Sequence, residues 1–550
     1  MKFKLSAVAC AVVLLVNSHL QFANAQPLPE STANSKSGSD KYQEPSFQLS
    51  GFEVLGPELV PRDQVMSILQ GFSGREITFN DLRAATVAVE QLHAEAGYEV
   101  VRVLIPEQEI TPGEKLKLQI VDARLDVVTV AGNDHFTAES IQQSLVVLQP
   151  GALINTVDMD KNLRLINDNP AKIVRVRLEP SDKPGLVDAK VQVSDQNPLA
   201  AYLTLDNSGT NATGDFRMGL ALQHNNAFNK GHMASFQYVT SPGRWSDVEV
   251  FGLNYKVPFY SLDSMLEMAY SDSNVDAGNL SVGSGPSASS VSVAGAGTTV
   301  AIRWVKLLDR LAGFDARLTF SHEIKEFVSQ VQLNGFGPSL VPELESRPVG
   351  LSYSLTEAQD SRQRAFQIGY FKNYVTGGNN STAQYSMTNP AAEANFDVIR
   401  ANASWSEQVM PGWRLTAQLD AQHTDYSLIP GEQFGAGGVY SVRGFEERVV
   451  SADRGLRQSL ELMGPNINKT FGTLFERLQF VGFVDAAQLK FNNPVFGSPV
   501  EPHLMSYGVG VRFAFSPKHQ FRVDLAKVVS GLPIQPHGDV MLHVTFATSL

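Results

Sequence analysis

From about residue 197 to the C terminus, hydrophobic positions recur at every second residue. Trp413, Leu415, Ala417 and Leu419 fall on one face of an extended segment, and Arg414, Thr416, Gln418 and Asp420 on the other. Tyr507, Val509, Val511, Phe513 and Phe515 oppose Ser506, Gly508, Gly510, Arg512 and Ala514, and Ile399, Ala401, Ala403 and Trp405 oppose Arg400, Asn402 and Ser404. Repeated along the chain, this apolar-out, polar-in alternation predicts a transmembrane antiparallel β-barrel. A soluble sandwich also alternates, so the pattern alone discriminates only modestly. At ~10 residues per spanning strand, roughly 350 residues accommodate about 16 strands, with about half the segment left for turns and loops. The Gly/Ser-rich stretch Gly278–Gly297 and the Pro/Gly-rich stretch Gly335–Gly350 read as external loops.

Upstream the period changes. A strand over Phe47–Leu55 precedes helices over Arg62–Leu69 and Asp81–Ala96, the second opened by Asn80 as N-cap; strands follow over Glu99–Ile105 and Lys115–Val121. The same β-α-α-β-β order returns at Leu125–Val130, Thr137–Leu145, Val157–Ile166, Lys172–Leu178 and Val187–Val193. A repeat of about 75 residues predicts two tandem α/β modules in place of one larger domain. Pro170, in Asn167-Asp168-Asn169-Pro170, stops the last helix of the second module and directs the chain into a strand.

The opening residues add a compartment. Lys2 and Lys4, the apolar run Leu5–Val16 and Ala23-Asn24-Ala25 follow the order of a secretory signal, which places the mature start near Gln26. Residues 26–45, rich in Pro, Ser and Gly, read as a disordered linker without helical periodicity. The single cysteine, Cys10, lies in the signal, so mature disulfides and thiolate metal sites are excluded. No later run approaches the ~18 apolar residues of a spanning helix, which leaves a closed barrel as the membrane form. The net charge of −12 comes without a basic stripe and argues against nucleic acid as a partner.

Enzyme chemistry finds no foothold. The eleven histidines lack HxxxH spacing, and no GxSxG elbow occurs. Gly435-Ala436-Gly437-Gly438 is followed by Val-Tyr-Ser without the Lys-Ser/Thr of a phosphate loop, and reads as backbone freedom for a loop turning in a crowded pore. Glu446, Glu447 and Arg448 read as solvated lumen charges more readily than as paired catalytic carboxylates. The expectation is a non-enzyme without cofactor or metal.

One pair of segments stands out. Val442-Arg443-Gly444-Phe445 is followed about 40 residues later by the strand pattern Phe480–Asp485, in which Gln479, Val481, Phe483 and Asp485 share a face. A carboxylate facing a barrel interior wants a cation, and an arginine fork binds it bidentately. Taken alone, the tetrapeptide also reads as a solvated turn.

These segments resemble the VRG(F/Y) and (F/G)xD motifs of the outer-membrane transporters of two-partner secretion, the haemolysin and adhesin secretion branch of the Omp85 superfamily. The two modules resemble POTRA domains, Asn167–Pro170 resembles a sequence found there, and Asp206-Asn207-Ser208-Gly209 with Thr213-Gly214 resembles the family's first hairpin, where Asn and Gly would supply left-handed turns. Leu550 departs from the usual terminal aromatic, and residues 26–45 show no counterpart of the plug helix many members carry. The resemblance implies a signal peptide at 1–25, a linker at 26–45, POTRA domains at 46–122 and 123–196, and a barrel at 197–550 with a loop at about 428–455 folded inward. Arg443 would pair with Asp485 as a latch.

It further implies an outer-membrane location with the POTRA domains in the periplasm. The partners would be a cognate secreted exoprotein of the haemolysin, adhesin or toxin class, periplasmic chaperones, the barrel assembly machinery and outer-membrane lipid, the chain itself being a monomer. Client-binding edges are expected near Val100, Arg102 and Leu104 and near Ile173, Arg175 and Arg177. Those arginines would steer an acidic client, or serve equally as solvated charges that discourage aggregation. A barrel assembly factor and a passive porin or receptor are the alternatives; two modules are few for the first, and a polypeptide-binding arm is superfluous for the second.

Overall fold

The computed structural model describes residues 46–550 apart from 110–113, 184, 211–212, 276–277, 283–288, 294–295, 329–341, 473 and 495–500. The signal, its cleavage site, the linker and the question of a plug therefore lie outside the described residues, as does the first part of the Gly335–Gly350 loop.

The first module runs β1 (Ser46–Gln48), β2 (Gly51–Leu55), α1 (Arg62–Gln70), β3 (Glu76–Thr78), α2 (Phe79–Glu95), β4 (Arg102–Leu104) and β5 (Lys115–Val121). Its sheet has β5 in the centre, parallel to β2 and antiparallel to β4, so β4 is an edge. The stretch Phe47–Leu55, expected as one strand, is two. β1 pairs with β3 and β2 with β5, so the chain changes partner between them. Alternate residues Phe52 and Val54 of β2, with Leu116 and Leu118 of β5, pack against Val65 and Leu69 of α1 and Leu82 and Val89 of α2.

The cap of α2 is also corrected. Thr78, not Asn80, is the N-cap: its extended backbone lets Oγ1 accept from the Asp81 N–H at 3.3 Å while the Asp81 carboxylate accepts from the Thr78 N–H at 2.8 Å, a reciprocal capping box. Asn80 already lies within the first turn. The Thr78 N–H, followed by the Arg75 guanidinium, holds the Asp81 carboxyl below its ordinary range.

The second module repeats the plan with β6 (Arg124–Ala131), α3 (Ala138–Ser144), α4 (Thr156–Asn167), β7 (Lys172–Pro180) and β8 (Leu186–Asp195), in the order β6-β8-β7 with β7 at the edge. Its core is built on Leu125, Ile141, Ile166, Val174 and Val191. Asn155 caps α4 and also donates to the Ala96 carbonyl at 3.1 Å, and the Thr156 N–H donates to Gly97 O at 2.8 Å, so the two modules meet through hydrogen bonds at a helix start.

β9 (Leu199–Asp206) opens a closed barrel of sixteen antiparallel strands. Leu344–Ser346 and Pro348–Ala358 form one of these strands, interrupted at Arg347, since both pair with Asp315–Phe327. The last strand, Val540–Ser549, closes the ring by pairing Thr545–Ser549 with β9. Outward residues such as Val509 and Ile368 are exposed, while on the lumen wall Arg303 pairs with Glu323 and Arg512 with Asp524. The Gly278–Gly297 stretch carries a hairpin, Gly278–Val282 against Ser289–Val293. At the first hairpin, Gly214 takes a positive φ of 92°, but Asn207 does not adopt the left-handed turn expected of it. Its amide instead mimics backbone, donating to Leu542 O at 2.7 Å and accepting from the Val544 N–H at 2.8 Å, and so extends the seam beyond β9.

Candidate functional site

The site lies inside the barrel. Between the strands Trp413–His423 and Arg454–Met463 the chain turns inward through a short 3₁₀ turn at Pro430–Glu432 and a small hairpin, Phe434–Ala436 against Val450–Ala452. The hairpin strands pair with each other and with no barrel strand. Its tip carries Ser441–Phe445, all buried.

Each residue of the tetrapeptide has a separate task. Val442 and Phe445 sink into an apolar patch formed by Ala487, Leu489, Leu504 and Val528 of the wall. Gly444, at φ 93°, packs with its α-carbon toward Ala526 and presents its N–H to His543 Nε2 at 2.9 Å. Arg443, 2% exposed, is held between them. Its Nε and Nη2 donate to the two carboxylate oxygens of Asp485 at 2.7 and 2.8 Å, and its backbone N–H donates to the same carboxylate at 3.1 Å. The guanidinium carbon sits 3.4 Å from the centre of the Phe483 ring, a cation–π contact. That ring lies over Gly508 on the next strand, where a methyl group would come within 2.4 Å of it.

Sequence reasoning missed the surrounding residues. Ser459 donates to Asp485 at 2.6 Å; Glu461 and Asp524 lie 3.4 and 3.6 Å from Arg443; Arg512 bridges Glu461 and Asp524 at 2.9 and 2.6 Å, and Arg522 reaches Asp524 at 2.6 Å. Alternation marks each of these positions as inward-facing, but nothing local says that strands this far apart in sequence bring them to one point. Beside the loop the lumen keeps a cavity of about 1210 Å³, lined by Arg303, Glu323, Lys325, Arg400 and Tyr440 among others.

A second polar junction ties the second module to the rim of the barrel, and the Asn167–Pro170 motif builds it. Asp168 receives both terminal nitrogens of Arg317 at 2.7 Å. Asn169 donates to the carbonyl of Asn225 at 2.5 Å, and Asn167 exchanges hydrogen bonds with the backbone of Val174. Lys161 pairs with Asp309 and Asp160 with Arg310. Lys172, 2% exposed, places its ammonium 4.7 Å from the Phe136 ring centre; burial pushes its pKa down to about 8, against the opposing charge of Asp195. The motif was read as a helix stop; its side chains make it a docking surface as well.

The two edge strands carry the other expected residues. Arg102 and Leu104 of β4, and Ile173, Arg175 and Arg177 of β7, are exposed. Val100 is corrected: it precedes β4 and packs against the core of the second module, so it offers nothing to a partner strand.

A β-barrel with an inward loop and a two-module arm is the architecture of an outer-membrane transporter whose POTRA domains stand in the periplasm. A family described as haemolysin secretion/activation protein ShlB/FhaC/HecB matches residues 346–513, which include Arg443 and Asp485, and a POTRA domain of ShlB type matches residues 47–123. The heme/hemopexin transporter protein HuxB of Haemophilus influenzae is 21% identical over 437 residues, covering 77% of this chain and 73% of its own. The outer membrane transporter CdiB of Dickeya dadantii is 22% identical over 422 residues, covering 75% and 71%. Two solved structures share the fold: CdiB from Escherichia coli, with a TM-score of 0.74 at 17% identity over 94% of this chain and 93% of that one, and CdiB from Acinetobacter baumannii, with 0.70 at 15% over 99% and 98%. In both matched segments and along most of its length the chain is similar to the two-partner secretion transporters. Its relatives are transporters rather than enzymes, and the family implies a cognate exoprotein as partner.

Proposed function

We propose that this transporter takes an unfolded exoprotein from the periplasm on the edges of its two POTRA domains, residues 46–122 and 123–196, and exports it through the barrel of residues 197–550, with the Arg443 loop as the movable closure. The observation that carries the reading is the loop's mode of attachment. Its hairpin pairs with itself and is held to the wall at its tip by side chains and single amides, so it can shift without breaking a strand pairing of the barrel. The edges β4 and β7 each have one side without a strand partner, where a client strand would add main-chain hydrogen bonds with little side-chain selectivity, as a long polypeptide requires, once it displaces the side chains of Glu90 from Val103 and of Asn167 from Val174. Folding of the client outside would supply direction.

The test is co-expression with the product of an adjacent gene, comparing wild type with Arg443→Ala. The variant is expected to insert at wild-type levels and to lose secretion. Normal export by a fully inserted variant would defeat the latch.

A further inference from the structure

The inward loop has a second charged attachment, on another sector of the wall, through a residue no motif marks. Glu432 follows Pro430-Gly431 at the root of the loop and is 2% exposed. Its carboxylate accepts from Arg400 Nη2 at 2.8 Å, Ser346 Oγ at 2.7 Å and Lys325 Nζ at 3.2 Å, three residues on three strands. Its carbonyl accepts from Gln422 Nε2 at 3.0 Å, and Gln422 in turn accepts from Arg400 Nε at 2.9 Å. Gly431 lies flat against the Phe327 ring, where a methyl group would sit 2.1 Å from the ring. This is a built seat for a carboxylate.

The seat ends a ladder of alternating charge along the lumen wall. Glu267 meets Arg303 at 3.1 Å, Arg303 meets Glu323 at 3.1 Å, and Glu323 meets Lys325 at 3.1 Å, after which Glu432 completes Lys325 and Arg400. Lys325 has Glu323 as a second partner, whereas Glu432 is the carboxylate that Arg400 meets. Withdrawing Glu432 therefore leaves buried Lys325 and half-buried Arg400 with one carboxylate, Glu323, beside them, an arrangement that favours the loop's return. Arg443 binds strands Arg454–Met463 to His519–Ser530; Glu432 binds Asp315–Phe327, Leu344–Ser346 and Asp397–Met410. With both in place the loop is stretched across the lumen.

We propose that Glu432 is a positioning residue for the transport cycle: its carboxylate, seated on Arg400, Lys325 and Ser346, fixes the loop root so that Arg443 meets Asp485, and closure of the channel depends on both attachments. This rests on the reading of the loop as the movable closure.

The test is single-channel recording of purified full-length protein in planar lipid bilayers, alongside heat-modifiability to verify the folded barrel. Glu432→Gln keeps the shape and removes the charge; its open-state occupancy is expected to rise on the order of tenfold. Glu432→Asp, which restores the charge on a shorter side chain, is expected to recover most of the closure, and Arg400→Gln to open the channel by a smaller factor because Lys325 remains. Wild-type closure in a folded Glu432→Gln barrel, or equal opening in the Gln and Asp variants, overturns the inference. Arg443→Ala recorded in the same way separates the levels: if it opens while Glu432→Gln stays closed, the latch reading stands and the Glu432 inference falls; if both stay closed, both fall.

Discussion

The barrel is tied to the loop proposed to move at one place and to the second module at another, and both ties are bidentate arginine–carboxylate pairs. At the tip of the loop, Arg443 enters a cluster in which Asp524 and Glu461 already have Arg512 and Arg522 as counter-charges, and Asp485 has Ser459 as a hydrogen-bond donor. When Arg443 leaves, the wall loses one cation but keeps two, and its carboxylates keep donors. At the rim, Arg317 clasps Asp168, and the neighbouring pairs Lys161–Asp309 and Asp160–Arg310 cross the same boundary, with Lys161 also meeting Asp158, Asp160 also meeting Arg164 and Arg310 also meeting Asp315. Separation there would break three ion pairs at once, the Asp168–Arg317 pair being the least exposed of them. The same chemistry thus suits release in one place, on the reading proposed for the loop, and permanence in the other, and the difference lies in the number of ion pairs that cross each boundary.

Removing the guanidinium strikes hardest. Arg443→Ala leaves Asp485 without its cation, a loss on the order of 3–5 kcal/mol to the seated loop, and secretion is expected to fall at least roughly tenfold, while Arg443→Lys restores little because an ammonium lacks the fork. Secretion assays normalised to barrel content check this. At the rim, Asp168→Asn is expected to weaken the seat of the second POTRA domain by about 2 kcal/mol, less than a fully buried pair because Arg317 retains some water contact. Limited proteolysis would show faster cleavage at the arm with an intact barrel, and Asp168→Asn should leave channel closure unaltered if the two ties are separate.

Lys172 gives a smaller effect of opposite sign. Its folded pKa of about 8 lies below its ordinary 10.5, so between those values the unfolded chain holds more protons and stability rises with pH. Below about pH 8 the cost of burying the charge is fully present; above about 10.5 it has gone. Lys172→Met is expected to stabilise the second domain by about 1 kcal/mol near neutrality, after the lost contact with Phe136 is deducted, and to flatten the rise. Thermal unfolding followed from pH 7 to 10.5 checks both.

What the sequence revealed followed the range of each interaction. Alternation over Trp413–Leu419 and Tyr507–Phe515 is a local consequence of a two-sided strand, so barrel strands were legible. The repeated α/β order was legible for the same reason. Thr78 and Asn80 are two residues apart and both good caps, so only the backbone bend between β3 and α2 decides between them. Asn207 belongs to residues 335 positions away, and Asp168 to Arg317 at 149, separations at which a single chain carries no pattern. Glu432 is one glutamate in an ordinary Pro-Gly-Glu turn until strand closure brings Lys325 and Arg400 to it.

The claim that the loop tip leaves its cluster during transport is tested most directly by a distance. With spin labels at Tyr440→Cys, exposed on the loop, and at an outer position of the barrel such as Val509→Cys, pulsed electron paramagnetic resonance on barrels with and without a bound exoprotein would follow the tip. The account predicts one distance in the resting barrel and a second population when the exoprotein is engaged, enlarged further by Arg443→Ala. A single unchanged distance in barrels that are actively exporting would contradict it.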